Sequence, residues 1–150
     1  MSRFRLAALL RLRLAERDQR RLDLAKALRA VQILQQQQAE VVQEEAQWLA
    51  QVRDLLAPGP TDLDAVLAMY RYAAVLRGRL QQLASQLAEV QREAQRRRTA
   101  LVEADRQVRV LEKLVQRQAQ AERCQALRRE AQRLDEAALA GYLRRQEVKP

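Results

Sequence analysis

The residues that most often carry enzyme chemistry are scarce in this chain of 150 residues. It contains no histidine, which removes the commonest general base and the commonest metal ligand together. Cys124 is the single cysteine, and one cysteine cannot build a zinc site. The three glycines, Gly59, Gly78 and Gly141, lie too far apart to form a phosphate-binding loop. The sequence therefore predicts neither a metal site nor a cofactor.

Adjacent carboxylates are the remaining candidates for acid–base catalysis. The pairs are Glu44–Glu45 and Asp135–Glu136. Both pairs fall in segments that we expect to be helical, with no cleft to desolvate them. A carboxylate needs such burial before its pKa rises towards neutral. We therefore expect that the protein is not an enzyme.

Arginine supplies nearly all of the net charge of +9, with 25 arginines against three lysines. If the chain folds back on itself, Arg13, Arg17, Arg20 and Arg21 come level with residues 96–98, which are all arginine. Such a band of like charge favours an acidic partner. The alternative is that these arginines pair with nearby acids, namely Glu16, Asp18, Glu93, Glu103 and Asp105. Nucleic acid is less favoured, because aromatic residues for base stacking are few.

The overall composition is typical of a helical, cytoplasmic protein. Alanine, leucine, arginine, glutamine and glutamate dominate, and aromatic residues make up 3%. A single cysteine suits a reducing compartment. No stretch approaches the roughly 20 apolar residues of a membrane span, and the apolar run at the N-terminus is too short for a signal peptide.

A long apolar stripe in the second half is the element that must position these charges. Its residues alternate in steps of four and three, and only Arg97 among them is not apolar: Leu76, Leu80, Leu83, Leu87, Val90, Ala94, Arg97, Leu101, Ala104, Val108, Leu111 and Val115. A spacing that averages 3.5 residues keeps one stripe of a helix against a partner helix. We call this stripe the seam, and it predicts a coiled coil.

A break at residues 57–61, which include Pro58, Gly59 and Pro60, divides the chain into two helices. We predict helices over about residues 4–56 and about residues 62–145, roughly 80 Å and 125 Å long. Thr61 or Asp62 can cap the second helix. The fold is therefore predicted to be all-α, a single antiparallel coiled-coil hairpin over residues 1–150. If the turn centres near Gly59, Trp48 lies near Tyr70.

The second helix is expected to overhang the first. Its seam ends at Val115, where the first helix runs out of residues. A new stripe then begins at Leu127 and continues through Ala131, Leu134 and Ala138 without a partner in this chain. A segment of about 30 residues that packs against no other helix should be only marginally helical. It is either a binding site for an outside partner or a fraying tail.

Three aromatic residues, Trp48, Tyr70 and Tyr72, lie near the predicted turn. Tyr70 and Tyr72 are about 200° apart around a helix, so both cannot face the first helix. Because exposed tyrosine is typical of protein interfaces, we predict a docking face that runs from Tyr72 through Leu76 and Arg79.

Three short motifs resemble the flagellar export protein FliJ family. The chain opens with Phe4-x-Leu6-x-x-Leu9-Leu10-x-Leu12-Arg13, and later has Val110-Leu111-Glu112-Lys113-Leu114 and Glu130-x-x-x-Leu134-Asp135-Glu136-Ala137. The order of features also matches: a long helix, a break, a longer helix and a basic tail. The resemblance covers the whole chain.

The resemblance implies a coiled coil within a type III export apparatus, similar to the central stalk of a rotary ATPase. Family members insert their paired termini into the hexameric export ATPase, which also has a regulator, and dock on the cytoplasmic domain of the export gate. Some have been viewed as chaperones that escort export chaperones. The protein would then be cytoplasmic and peripheral at the inner membrane through its partners, with no nucleic acid expected. The injectisome counterpart has a similar layout, so that system stays open.

Residues can be assigned to these two contacts. For the ATPase we predict Phe4, Leu6, Leu10, Arg13, Arg17, Lys113, Arg117 and Leu134. For the gate, Tyr72 and Leu76 match the aromatic and aliphatic positions of the family, whereas Arg79 stands where the family has a small residue. The alternatives are a purely structural coiled-coil scaffold and a basic coiled coil that binds nucleic acid or anionic membrane.

Overall fold

Two helices account for the fold. A computed structural model of the chain describes residues 2–56, 59 and 62–147, with side chains over 5–56, 59 and 62–146. Helix α1 spans Ser2–Leu55 and helix α2 spans Leu63–Glu147. These bounds confirm the two predicted helices and the antiparallel pairing. The proposed cap at Thr61 and the Phe4 side chain lie outside the described residues.

The start of α2 is fixed by a side-chain cap. Asp62 Oδ1 accepts a hydrogen bond from the Asp64 backbone N–H at 3.0 Å, and Val66 N–H donates to the Asp62 carbonyl at 3.2 Å. Asp62 is therefore the N-cap, as predicted. Asp64 in the first turn and Arg144 and Arg145 in the last turn complement the helix dipole.

The contacts between α1 and α2 divide into two compact units, residues 17–103 and residues 1–16 with 104–150. In the first unit the two helices form an antiparallel hairpin. Its core is a cluster of Val41, Leu76 and Leu83, with Leu34, Trp48 and Leu80 packed against it. Every predicted seam position in this unit, from Leu76 to Leu101, is buried or half-buried.

In the second unit, residues 104–115 of α2 pair with the beginning of α1. The four seam residues, Ala104, Val108, Leu111 and Val115, are again buried or half-buried, and Val108 is only 1% exposed. From residue 120 to residue 146 every residue is exposed. This segment is nevertheless helical, although marginal helicity was expected. Because it continues an existing helix, it does not have to nucleate one.

Candidate protein-interaction sites

An aromatic and carboxylate cluster lies near the turn end of the 17–103 hairpin. The rings of Trp48 and Tyr72 meet edge to face, with centroids 4.6 Å apart and planes at 64°. The Tyr72 hydroxyl donates a hydrogen bond to Glu44 Oε1. Tyr70, by contrast, is 73% exposed. The predicted contact between Trp48 and Tyr70 is therefore wrong, because Trp48 packs against Tyr72 instead.

The error has a simple origin in the alignment of the helices. Trp48 lies opposite Tyr72, and Arg97 donates to the Asp23 carbonyl, so the numbers of both pairs sum to 120. If the turn were centred on Gly59, as predicted, the numbers of paired residues would sum to 118. A difference of two in this sum places Tyr72, rather than Tyr70, level with Trp48.

The hydrogen bond between Tyr72 and Glu44 also alters the acidity of the phenol. It raises the pKa of Tyr72 above its ordinary value of 10.0, and desolvation and the charge of Glu44 act in the same direction. Arg79 opposes this effect, and its Nη1 lies 4.0 Å from Glu44 Oε2. The phenol therefore stays protonated and continues to donate to Glu44.

Leu76 does not contribute to an exposed docking face. Its side chain is 2% exposed and belongs to the core cluster with Val41 and Leu83. Tyr72 is 36% exposed and the Arg79 side chain 60% exposed. The surface predicted from Tyr72, Leu76 and Arg79 is therefore reduced to Tyr72 and Arg79, beside Glu44.

The arginine band is largely paired with acids on its own helix. Arg17 and Arg21 both approach Asp18, at 3.0 Å and 3.7 Å, and Arg96 and Arg97 both approach Glu93, at 3.9 Å and 2.9 Å. In the other unit, Arg13 pairs with Glu16 at 2.8 Å. These contacts support the acid-pairing interpretation of the arginines. Exposed pairs of this kind contribute little stability.

Arg97 is the exception, because it binds across the hairpin. Its Nη1 donates to the backbone carbonyl of Asp23 at 2.7 Å, while its Nε donates to Glu93 at 2.9 Å. Ala94, in the seam, and Ala27, on α1, lie near this contact and are only 7% and 5% exposed. The one polar residue of the predicted seam is thus satisfied by α1 and by its own helix.

Apart from Arg17, which belongs to the 17–103 hairpin, the predicted ATPase-binding residues belong to the unit of residues 1–16 and 104–150. Those other than Phe4 and Arg13 form two groups. Leu6 and Leu10 are half-buried, and Leu6 lines a shallow cavity of about 110 Å³ with Ala7, Val115 and Ala119. Lys113 and Arg117 are exposed, and Leu134 is 66% exposed. The first group helps to hold α1 against α2, and the second faces solvent.

The two sides of the 17–103 hairpin differ sharply in charge. The residues of α1 that face α2, which we call the inner row, are buried or half-buried at the same spacing: Leu24, Ala27, Val31, Leu34, Gln38, Val41, Glu45, Trp48 and Val52. On α2 the seam continues back through Ala73, Met69 and Val66. Because α1 and α2 run in opposite directions, residues one position after these lie on one side of the hairpin, and residues one position before them lie on the other. The contacts of Tyr72 and Arg79 with Glu44 mark the second side. Between residues 23–54 and 65–96 that second side carries nine charged residues among twenty positions. We call it the charge-rich face.

The opposite side carries two charged residues among twenty positions, where the overall charged fraction of 31% would give about six. We call it the charge-poor face. On α1 it consists of Ala25, Leu28, Gln32, Gln35, Ala39, Val42, Ala46, Leu49, Arg53 and Leu56. On α2 it consists of Leu63, Leu67, Tyr70, Ala74, Arg77, Gln81, Ala84, Ala88, Gln91 and Gln95. It has no carboxylate.

Comparison with known proteins decides the family. The family model described as "Flagellar FliJ protein" matches residues 1–147. The chain belongs to the FliJ family. It is accordingly a component of the flagellar export apparatus, and members of this family are non-catalytic. Searches of curated proteins and of solved structures gave no match.

Three further observations concern the described part of this FliJ-family chain. Neither α1 nor α2, over residues 2–55 and 63–147, is long and apolar enough anywhere to cross a membrane. No group of three acidic, cysteine or histidine side chains among the described residues is placed to hold a metal ion. Cys124 is exposed on the segment that follows the paired part of α2.

Sequence reasoning missed the charge-poor face of this FliJ-family protein. Its signal is present in the sequence, since Val42, Leu49 and Leu56 recur every seven residues on α1. Val42 and Leu49 are 50% and 45% exposed, so they do not belong to the row that packs against α2. Only the alignment of the two helices shows that they form a second, outward row.

Proposed function

We propose that the protein acts as a stalk within the flagellar export apparatus, with its terminal unit bound to the hexameric export ATPase. One observation carries the proposal: residues 120–146 form a helix whose residues are all exposed, although α2 is paired up to about residue 119. Leu127, Leu134 and Tyr142 are at least 60% exposed there. An apolar stripe of this kind on a continuous helix is suited to bind a partner.

The half-buried residues have a different role in this proposal from the exposed ones. Leu6 and Leu10 hold the beginning of α1 against α2, and Leu6 lies beside Val115 and Ala119, where the exposed segment of α2 begins. Lys113, Arg117 and Leu134 contact the ATPase directly, and Arg13 of the same unit contributes charge. Arg17, in the 17–103 hairpin, is a further proposed contact of the ATPase. Phe4 belongs to the same proposal, outside the described side chains. The ATPase regulator and the export chaperones are further proposed partners, at the cytoplasmic side of the inner membrane.

The docking of the export gate is proposed for the charge-rich face, at Tyr72 and Arg79. Tyr72 is held in place by Trp48 and Glu44, so its orientation is fixed before binding. Leu76 acts through the core, and we no longer count it as a contact residue.

Titration of the purified export ATPase with full-length chain and with variants tests the proposal. A chain ending at Ala119 should bind at least about 10-fold more weakly, since a lost apolar helix face costs more than 1.4 kcal/mol. The double variant Arg13→Glu/Arg17→Glu should weaken binding as well, and Arg53→Glu, near the turn, is its control. Unchanged affinity of the shortened chain would refute the ATPase contact.

The same titration against the cytoplasmic domain of the gate tests the second contact. Tyr72→Ala should weaken binding, while Tyr70→Ala, two residues away on the opposite side of α2, should not. Circular dichroism must show that both variants remain helical. Equal effects of the two substitutions would remove Tyr72 from the site.

A further inference from the structure

The charge-poor face has the composition of an interface rather than of a solvated surface. Interface centres are depleted of charged residues and enriched in aromatic residues, methionine and arginine. Here six large apolar residues are 45–73% exposed, namely Val42, Leu49, Leu56, Leu63, Leu67 and Tyr70. The only charges are Arg53 and Arg77, and Arg77 Nε already lies 3.8 Å from Glu45. An exposed apolar surface of this extent indicates a partner.

We propose that this partner is a second copy of the chain, so that two hairpins associate through their charge-poor faces. The proposal does not rest on the stalk function. It follows first from charge: the chain carries +9, so two copies repel each other wherever their surfaces are basic. With only Arg53 and Arg77 charged among its twenty positions, the charge-poor face lets two copies meet with little of this repulsion.

The size of the face is sufficient for a stable dimer. Residues 25–56 of α1 extend over about 48 Å, and two helices packed 8–10 Å apart present a width of about 15–20 Å. The face therefore offers roughly 700–1,000 Å² per copy, a range that includes the approximately 800 Å² per partner of a standard interface.

The face is also complementary to itself. Its large side chains lie near the turn, whereas the other half consists of small or uncharged residues such as Ala25, Gln32, Ala84 and Gln91. A twofold axis that crosses the helices at the level of Ala39 and Gln81 places each large half over the small half of the other copy. Tyr70 of one copy then lies over Gln91 of the other. Such an isologous contact closes on two subunits and does not propagate.

Sedimentation of the full chain tests the dimer, over about 1–200 µM and with a reducing agent so that Cys124 cannot cross-link copies. We expect a monomer–dimer equilibrium in the micromolar range. Ala39→Arg brings two new positive charges together near the axis and should raise the dissociation constant at least about 10-fold. Ala50→Arg, at another exposed alanine of α1 that lies outside the face, should leave it unchanged.

Salt provides a second readout. Because the face has no carboxylate to pair with, higher salt should strengthen the dimer by screening the net charge. Ala84→Arg, on α2, replaces Ala39→Arg if circular dichroism shows loss of helix. A chain that stays monomeric throughout, or equal effects of Ala39→Arg and Ala50→Arg, would overturn the proposal. So would a monomer whose Ala39→Arg variant loses binding to the ATPase or the gate, since the face would then belong to that partner.

Discussion

Tyr72 shows how one side chain can be both structural and available for binding. Its ring packs against Trp48, its hydroxyl donates to Glu44, and about a third of its surface remains exposed. From the sequence, Tyr70 and Tyr72 could be placed only on opposite sides of α2. Which of them lies level with Trp48 depends on the alignment of the two helices, and the turn residues do not fix that alignment.

The stability of the hairpin should depend on the protonation of Tyr72 at alkaline pH. Because the pKa of Tyr72 is raised in the folded state, its contribution is fully present below the unfolded value of 10.0 and is lost as the pH rises through the folded value. Urea unfolding of the wild type and of Tyr72→Phe from neutral to alkaline pH measures this. The advantage of the wild type should disappear at the alkaline end. Tyr70→Phe is the control, and a parallel pH dependence of wild type and Tyr72→Phe would contradict the prediction.

Arg97 is the second residue whose role needed the structure. The sequence identified it as the one polar position of the seam, and its neighbour Glu93 four residues earlier is an obvious partner. Its hydrogen bond to the Asp23 carbonyl was not predictable, because every residue has a backbone carbonyl and the sequence does not show which of them accepts. That hydrogen bond holds Arg97 of α2 opposite Asp23 of α1.

At the scale of the elements, α2 was predicted well and α1 less well. The seam of α2 is a single apolar row flanked by polar residues. Its spacing alone therefore shows which side of α2 packs against α1. On α1, two apolar rows lie side by side, and polar Gln38 and Glu45 stand in the inner row, where both are half-buried. Periodicity cannot decide between two such rows, and only packing against α2 does.

Leu76 should be the most sensitive seam position of the 17–103 hairpin. It is 2% exposed, so Leu76→Ala removes buried apolar surface and leaves a cavity, which costs about 2–5 kcal/mol of the free energy of unfolding. Leu127→Ala makes the same chemical change at a residue that is 66% exposed, and should cost less than about 0.5 kcal/mol. Urea unfolding followed by circular dichroism compares the two, and similar losses would show that the core is not where the structure has it.

At the scale of the whole molecule, charge is distributed unevenly along the chain. Residues 39–75 contain six carboxylates and two arginines, whereas the chain as a whole is strongly basic.

The family, the helical fold and the exposed C-terminal segment, which we call the tail (residues 120–146), were predictable from the sequence. Each of them depends on composition, on the spacing of apolar residues and on the order of the elements. The charge-poor face was not predictable, because it combines residues from two helices whose relative alignment was unknown.

The tail should be dispensable for folding. Since residues 120–146 are all exposed, a chain that ends at Ala119 keeps every buried and half-buried residue that the structure describes. Its free energy of unfolding should match that of the full chain within about 0.5 kcal/mol, while its total helical signal falls. Urea unfolding monitored by circular dichroism measures both quantities. A large loss of stability would mean that the tail packs on the rest of the protein.

The position of Cys124 has a practical consequence. It is the sole thiol of the chain and it lies exposed within the tail, outside the paired helices. A maleimide dye therefore attaches at one defined place without any mutagenesis, on the segment whose occupancy is in question. A fluorescent dye attached at Cys124 would therefore report the binding of a partner to this part of α2.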